Sequence, residues 1–237
     1  MPLDKSSARV RTMFGEIAGW YDFLNHLLSF GVDRAWRRKT VKLAPPREGA
    51  GPILDVCTGT ADLALAYWRA SGKRTRVLGA DFCRPMLAIG REKCRRAGAG
   101  AHIALVEAAA LHLPFPDGRF QIVSAAFGLR NISDTDAGLR EMARVCQSGG
   151  SVAVLEFSRP KNRFFAAIYH WYFRRLLPRI GQTLARNSQE AYNYLPASVG
   201  QFPQGEALAE RFRAAGLKNV RFFPLTLGVA TLYIGEK

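Results

Sequence analysis

Asp55 and Asp81 stand at the ends of two short apolar runs, "ILDV" at 53–56 and "RVLGAD" at 76–81. Carboxylates that close successive buried strands, about one βαβ unit apart, are placed to meet a nucleotide. The second of them can accept hydrogen bonds from both hydroxyls of a ribose. Between the two lies "CTGTADLAL", a loop of small residues that opens a helix. Gly59 lets the backbone come close to a ligand there.

Asp62 puts an anion at the start of that helix, where it also suits the macrodipole. A carboxylate at this point repels a pyrophosphate, and the glycine-rich loop of a nicotinamide-binding fold keeps that helix end free for one. It favours instead a cofactor that carries an ammonium or a sulfonium group. S-adenosylmethionine carries both. From the residues alone, the expected cofactor set is therefore Asp55, Gly59, Asp62 and Asp81.

These residues need a sheet to hold them. Apolar runs at 53–56, 76–81, 102–106, 121–127 and 151–157 read as buried strands, and helical patterns at 62–70, 84–97 and 134–145 separate them. The "SGG" at 148–150 is expected to stop the last of these helices before the strand at 151. Alternation of this kind means a mainly parallel sheet with helices on both faces. "NVRFFPLTLGVATLYIGEK" reads as two strands around a turn at Leu227–Gly228, an antiparallel hairpin at one edge. Before the sheet, Val10, Phe14, Ile17 and Tyr21 fall at helical spacing. Gly31 is expected to end that arm's long helical stretch, and a short basic helix follows through Trp36.

Composition narrows the class. The chain has 237 residues and a formal charge of +15, which attracts an anionic membrane surface or nucleic acid. No OB or RRM signature accompanies the charge, so no nucleic-acid partner is expected. No apolar run reaches the roughly 18–20 residues of a membrane span. The start of the chain lacks an apolar signal segment. The 4 cysteines form no CxxC pair and the 4 histidines lack ligand spacing, so no metal site is expected and a cytoplasmic protein is.

Several longer segments carry a resemblance: "WYDFLNHLLSFGVDRAWRR", "ILDVCTGTADLA", "LPFPDGRF", "FGLRNISD", "SGGSVAVLEFSRP", "NYLPASVGQFP" and "LTLGVATLYIGEK". In this order they resemble the ubiquinone/menaquinone biosynthesis C-methyltransferases, over nearly the whole chain. The resemblance implies a Rossmann-like class I methyltransferase fold: a mainly parallel seven-stranded sheet with an antiparallel C-terminal hairpin. It implies one domain over 1–237, made of a helical lid (1–42), a cofactor core (53–157), a helical acceptor- and membrane-facing insertion (160–218) and the hairpin (219–237).

The same resemblance implies S-adenosylmethionine as cofactor and methylation of a ring carbon of a prenylated quinol. It adds Thr60, and the positions of Ala109, Ala110 and Ala126, to the cofactor set. Arg130, Asn131 and Tyr21 become the catalytic candidates, with Asn25 also over the acceptor. Phe165 and Tyr169, in the aromatic and basic tract after Pro160, would line a channel for the prenyl tail, with arginines beside them for lipid phosphates. The protein is expected at the inner face of the membrane as a peripheral protein, and a homodimer is left open.

Three departures stand out. The family's pattern has glycine where Ala61 stands, an acid or amide where Ala109 stands, and serine where Ala126 stands. If position 61 is left-handed, alanine costs on the order of 1–2 kcal/mol. If the glycine gave only clearance, the methyl crowds the cofactor instead. These alanines keep two rivals open: a divergent methyltransferase for another phenolic or small acceptor, and a decayed fold serving as a scaffold in quinone biosynthesis.

Overall fold

The computed structural model describes residues 6–29, 31–160 and 189–237. Its centre is a 7-stranded sheet of order β3-β2-β1-β4-β5-β7-β6. The strands are β1 (Ile53–Val56), β2 (Val77–Asp81), β3 (Ile103–Glu107), β4 (Phe120–Ala126), β5 (Cys146–Phe157), β6 (Lys218–Leu225) and β7 (Ala230–Glu236). The first five run parallel, and β7 runs antiparallel to both β5 and β6. Strand order reverses between β1 and β4, so the loops at their carboxyl ends flank the crevice where such sheets hold ligands.

The helices before and among these strands are α1 (Ser7–Ile17), α2 (Tyr21–Leu28), α3 (Asp33–Leu43), α4 (Asp62–Ala70), α5 (Arg84–Arg96) and α6 (Thr135–Val145). Two more follow β5 in the described residues, α7 (Gln189–Gln201) and α8 (Glu206–Ala214). Alternate residues of β1 feed opposite faces of the sheet. Leu54 and Val56 join Leu139 and Met142 of α6 and Phe212 of α8. Ile53 joins Leu63, Leu65, Tyr67 and Trp68 of α4. A third cluster gathers Trp36, Phe127, Phe157 and Leu232, and ties α3 to the far half of the sheet. There Trp36 Nε1 donates a 2.8 Å hydrogen bond to Thr226 Oγ1 in the β6–β7 turn.

Among the described residues the expected strands and helices form, and local chemistry explains their ends. Asp134 caps α6 by accepting from the backbone N–H groups of Asp136 and Ala137. Gly31, at φ 73, turns the chain between α2 and α3. Pro224 sits in β6, at the sheet edge where a missing N–H is tolerated.

One boundary differs from expectation. The "SGG" does not separate α6 from a strand at 151, because β5 begins at Cys146. Gly149 N donates to Lys237 O and Lys237 N donates to Gly150 O, so the glycines pair with the C-terminus while the β4–β5 register shifts. A side chain at Gly150 would lie 2.8 Å from Gln121 O, Gln147 O and Cys146 Sγ, which explains glycine there. Among the described residues, no helix is long and apolar enough to cross a membrane.

Candidate active site

A cleft opens at the carboxyl ends of β1, β2 and β4. Cys57 and Gly59 after β1, Asp81 to Cys83 after β2, and Ala126 to Gly128 and Asn131 after β4 line it. Met86 of α5, Phe14 of α1 and Tyr21 of α2 complete the wall. The N-terminal arm therefore covers a crevice that the sheet creates.

Asp81 is the best-defined group in it. Its Oδ2 accepts from Gly59 N and its Oδ1 from Cys83 N, each at 2.8 Å. Burial raises its pKa, against the lowering by these backbone donors. The amides fix the carboxylate's direction, and each oxygen keeps a lone pair for a ribose hydroxyl.

Asp55 lies one layer deeper and does not line the cleft. It accepts from Thr58 Oγ1 at 2.6 Å and from Ser124 Oγ at 2.9 Å, stapling the β1 loop to β4. Burial pushes its pKa to about 6, with both hydroxyls pulling it down. Thr60 and Asp62 also stand off the cleft, facing the arm. Thr60 Oγ1 donates to Asp22 Oδ1 at 2.5 Å, and Lys93 Nζ lies 2.6 Å from both Asp22 and Asp62. Lys93 also donates to Thr60 Oγ1 at 3.0 Å.

Backbone strain is present in the loops around the crevice. Cys57 (φ 53), Ala61 (φ 67) and Phe127 (φ 60) are all left-handed without being glycine. At position 61 this decides between the two expectations: alanine occupies a left-handed site. Its methyl is fully buried with Ile53, Leu65 and Tyr67 and does not reach the cleft wall. Gly128 is required for another reason. A Cβ there would fall 2.3 Å from Cys57 Cβ, because the β1 and β4 loops touch at this point.

Across from Asp81 lies a polar group set. The Tyr21 hydroxyl is enclosed beside Asn25, and burial raises its pKa. The charges of Arg130 and Arg37 oppose that rise, while Asp81 adds to it. Three atoms in this neighbourhood are buried with no partner: Asn25 Nδ2, Asn131 Oδ1 and Arg130 Nε. Among the described residues, such buried donors and acceptors are open to a polar ligand or an ordered water.

Arg130 itself stands behind the cleft wall. Its Nη1 reaches Glu156 Oε2 at 2.9 Å and also bonds Phe127 O, and Glu156 Oε1 accepts from Arg130 N. The guanidinium lies over the Phe157 ring, 5.4 Å from its centroid. Ala126 lines the cleft, whereas Ala109 and Ala110 lie on the loop after β3, outside the wall. Phe165 and Tyr169 fall outside the described residues.

Sequence reading missed Glu156, Asp22 and Lys93. A single acid in the apolar run "SVAVLEF" was the available signal for Glu156. Nothing local marked Lys93, which is one of many cations on α5.

The model of the ubiE/COQ5 methyltransferase family matches residues 3–237. A demethylmenaquinone methyltransferase of Thermus thermophilus is 48% identical over 226 residues, spanning 95% of this chain and 100% of that one. A ubiquinone/menaquinone biosynthesis C-methyltransferase UbiE of Geotalea uraniireducens is 43% identical over 235 residues, spanning 99% of each. Among solved structures, a phosphoethanolamine N-methyltransferase of Haemonchus contortus in complex with S-adenosyl-L-methionine shares the fold. Its TM-score is 0.62 at 14% identity, over 86% of this chain and 52% of that one.

Proposed function

The chain belongs to the ubiE/COQ5 methyltransferase family, and on that premise we propose that it methylates a ring carbon of a prenylated quinol in quinone biosynthesis. The observation that carries the reading is that Asp81, Tyr21 and Asn131 line one crevice, with the buried Arg130 guanidinium close behind its wall. A carboxylate for a ribose and unmet donors and acceptors for ring oxygens are the two halves such a reaction needs.

The residues present fit S-adenosylmethionine. Asp81 would take its ribose, and Gly59 would let its chain pass close to the β1 loop. When bound, the cofactor supplies a methyl group on a positively charged sulfur. Asp55 and Thr60 would support this site from beneath and from the arm side, and Asp62 would add negative charge near the cofactor's ammonium.

The protein must make a ring carbon nucleophilic. Loss of the proton of a ring hydroxyl to solvent water places negative charge on the neighbouring carbon. Arg130 stays protonated, so its part is to stabilise the phenolate by charge, not to accept the proton. Glu156 and Phe127 O hold that guanidinium in place. Asn131 and Asn25 would orient ring hydroxyls through their unmet atoms, and Tyr21 would close the site from the arm. Residues 1–42 thus act as a lid, whose latch is the Thr60–Asp22–Lys93 network. A greasy acceptor brings the protein to an anionic membrane surface as a peripheral protein, and the charge of +15 supports that contact.

The direct test is incubation of the purified protein with methyl-labelled S-adenosylmethionine and a panel of demethylated naphthoquinols and benzoquinols. Label should enter the ring of one class. Full turnover by Arg130→Ala would remove the phenolate role. No transfer to any quinol, with the cofactor bound in calorimetry, would overturn the acceptor class.

A further inference from the structure

Outside the cleft, a second groove runs between α3 and α4, with a volume of about 830 Å³. Arg34, Arg37 and Arg38 of α3, Arg69 of α4 and Lys93 of α5 line it. Its two lining carboxylates are Asp22 and Asp62. The i, i+3 and i, i+4 spacing along each helix explains the grouping: Arg34, Arg37 and Val41 share one side of α3, and Asp62, Leu65 and Arg69 share one side of α4. Val41, Leu65, Ala66 and Ala70 give it an apolar floor.

The cations are of two kinds. Arg37 is 7% exposed, pairs with Asp33 and lies 3.5 Å from Asp62. Lys93 bridges Asp22 and Asp62. These two are compensated. Arg38 and Arg69 are exposed at the rim and have no ion pair or hydrogen bond among the described residues. These two exposed guanidinium groups leave the rim of the concavity positive. Unpaired guanidinium groups beside an apolar floor match tetrahedral oxyanions, which they bind through paired N–H donors.

We propose that this groove binds a phosphate group, and that its occupation loosens the N-terminal arm by drawing Lys93 from Asp22. The second half rests on the lid reading above. A phosphate beside Lys93 competes with the Asp22 carboxylate for the same ammonium and leaves the arm held here by the Thr60–Asp22 hydrogen bond. The phosphate comes from a lipid headgroup or from a soluble phosphate ester. Trp20 and Phe23, the neighbours of Asp22 on the arm, are 46% and 49% exposed and meet edge to face at 6.3 Å. Half-exposed aromatic rings suit the boundary of a bilayer, which favours the lipid source.

The test uses the full chain and the double variant Arg38→Gln/Arg69→Gln, neither residue being part of the proposed catalytic site. Pyrophosphate binding is measured by calorimetry. Vesicle binding is measured by co-sedimentation with phosphatidylcholine, with and without phosphatidylglycerol. Proteolytic cleavage within 6–29 reports release of the arm. The expected result is binding to pyrophosphate or to the anionic vesicles, weakened at least ~10-fold in the double variant, with faster arm cleavage on binding. Vesicle binding that pyrophosphate displaces identifies the lipid source; pyrophosphate binding alone identifies a soluble one. No binding to either probe, or equal binding by both proteins, overturns the site, and binding without faster cleavage overturns the coupling. S-adenosylmethionine calorimetry on the same samples separates failure of the groove from failure of the methyltransferase reading.

Discussion

Glu156 holds Arg130 at 2.9 Å in a pocket where the two side chains are 1% and 6% exposed. The acid comes from β5 and the base from the turn after β4, so the pair ties that turn to the end of the neighbouring strand. Removing one partner leaves the other charge buried and unpaired. Glu156→Ala should lower unfolding free energy by about 3–5 kcal/mol, measured by urea denaturation, and should cut turnover through the displaced Arg130. An unchanged midpoint would show that water reaches the guanidinium.

Stability should depend on Asp55 in a defined pH window. Its folded pKa is raised from 3.8 to about 6. The folded state therefore holds the proton more tightly than the unfolded chain. That contribution is full below pH 4 and is lost as pH rises through 6. Asp55→Asn carries no titrating group, so it should gain on the wild type between pH 4 and 6, by on the order of 3 kcal/mol. Asp81, raised in the same direction, is coupled to Asp55 by charge, and its own titration changes less than that of the group removed. Parallel stability curves across that window would refute the assignment.

Ala61→Gly should behave unlike the same change in an ordinary helix, where it loses about 1 kcal/mol. Relief of the left-handed strain, on the order of 1–2 kcal/mol, offsets the lost burial of one methyl, about 0.8 kcal/mol. The net effect on thermal unfolding should be near zero or stabilising. A clear loss would mean that the buried methyl outweighs the backbone.

Gly128→Ala should destabilise by about 1–3 kcal/mol, the usual range for forced overpacking, because its new Cβ meets Cys57 Cβ. Cys57→Gly removes that Cβ and suits the left-handed backbone there. The double variant should recover much of the loss, and cofactor affinity should recover with it. Additive losses in the two variants would show that the loops do not touch in solution.

Asp81→Asn replaces one of the two carboxylate oxygens by a donor that opposes the Gly59 or Cys83 N–H. Cofactor affinity by calorimetry should fall roughly 10- to 100-fold, as for loss of a hydrogen bond to a charged group. Unaltered affinity would place the ribose elsewhere.

The amino-acid sequence by itself determined the strands and where they stop. Runs such as "ILDV" and "RVLGAD" are apolar enough to be buried on both faces, and the charged Asp81 that ends the second lies at the sheet's rim, whereas Asp55, followed by Val56, lies deeper. Asp81 was legible for that reason, as were the hairpin and the helices on both sides. Tertiary structure alone decided the partners. Lys93 meets Asp62 across 31 positions and Glu156 meets Arg130 across 26, because the sheet order brings their elements together and no local pattern encodes that order. It also decided that Ala61 is left-handed with its methyl in the core, and that Thr60 and Asp62 turn toward the arm. Each depends on which neighbour fills the adjacent space, and the chain folds that space from residues far apart.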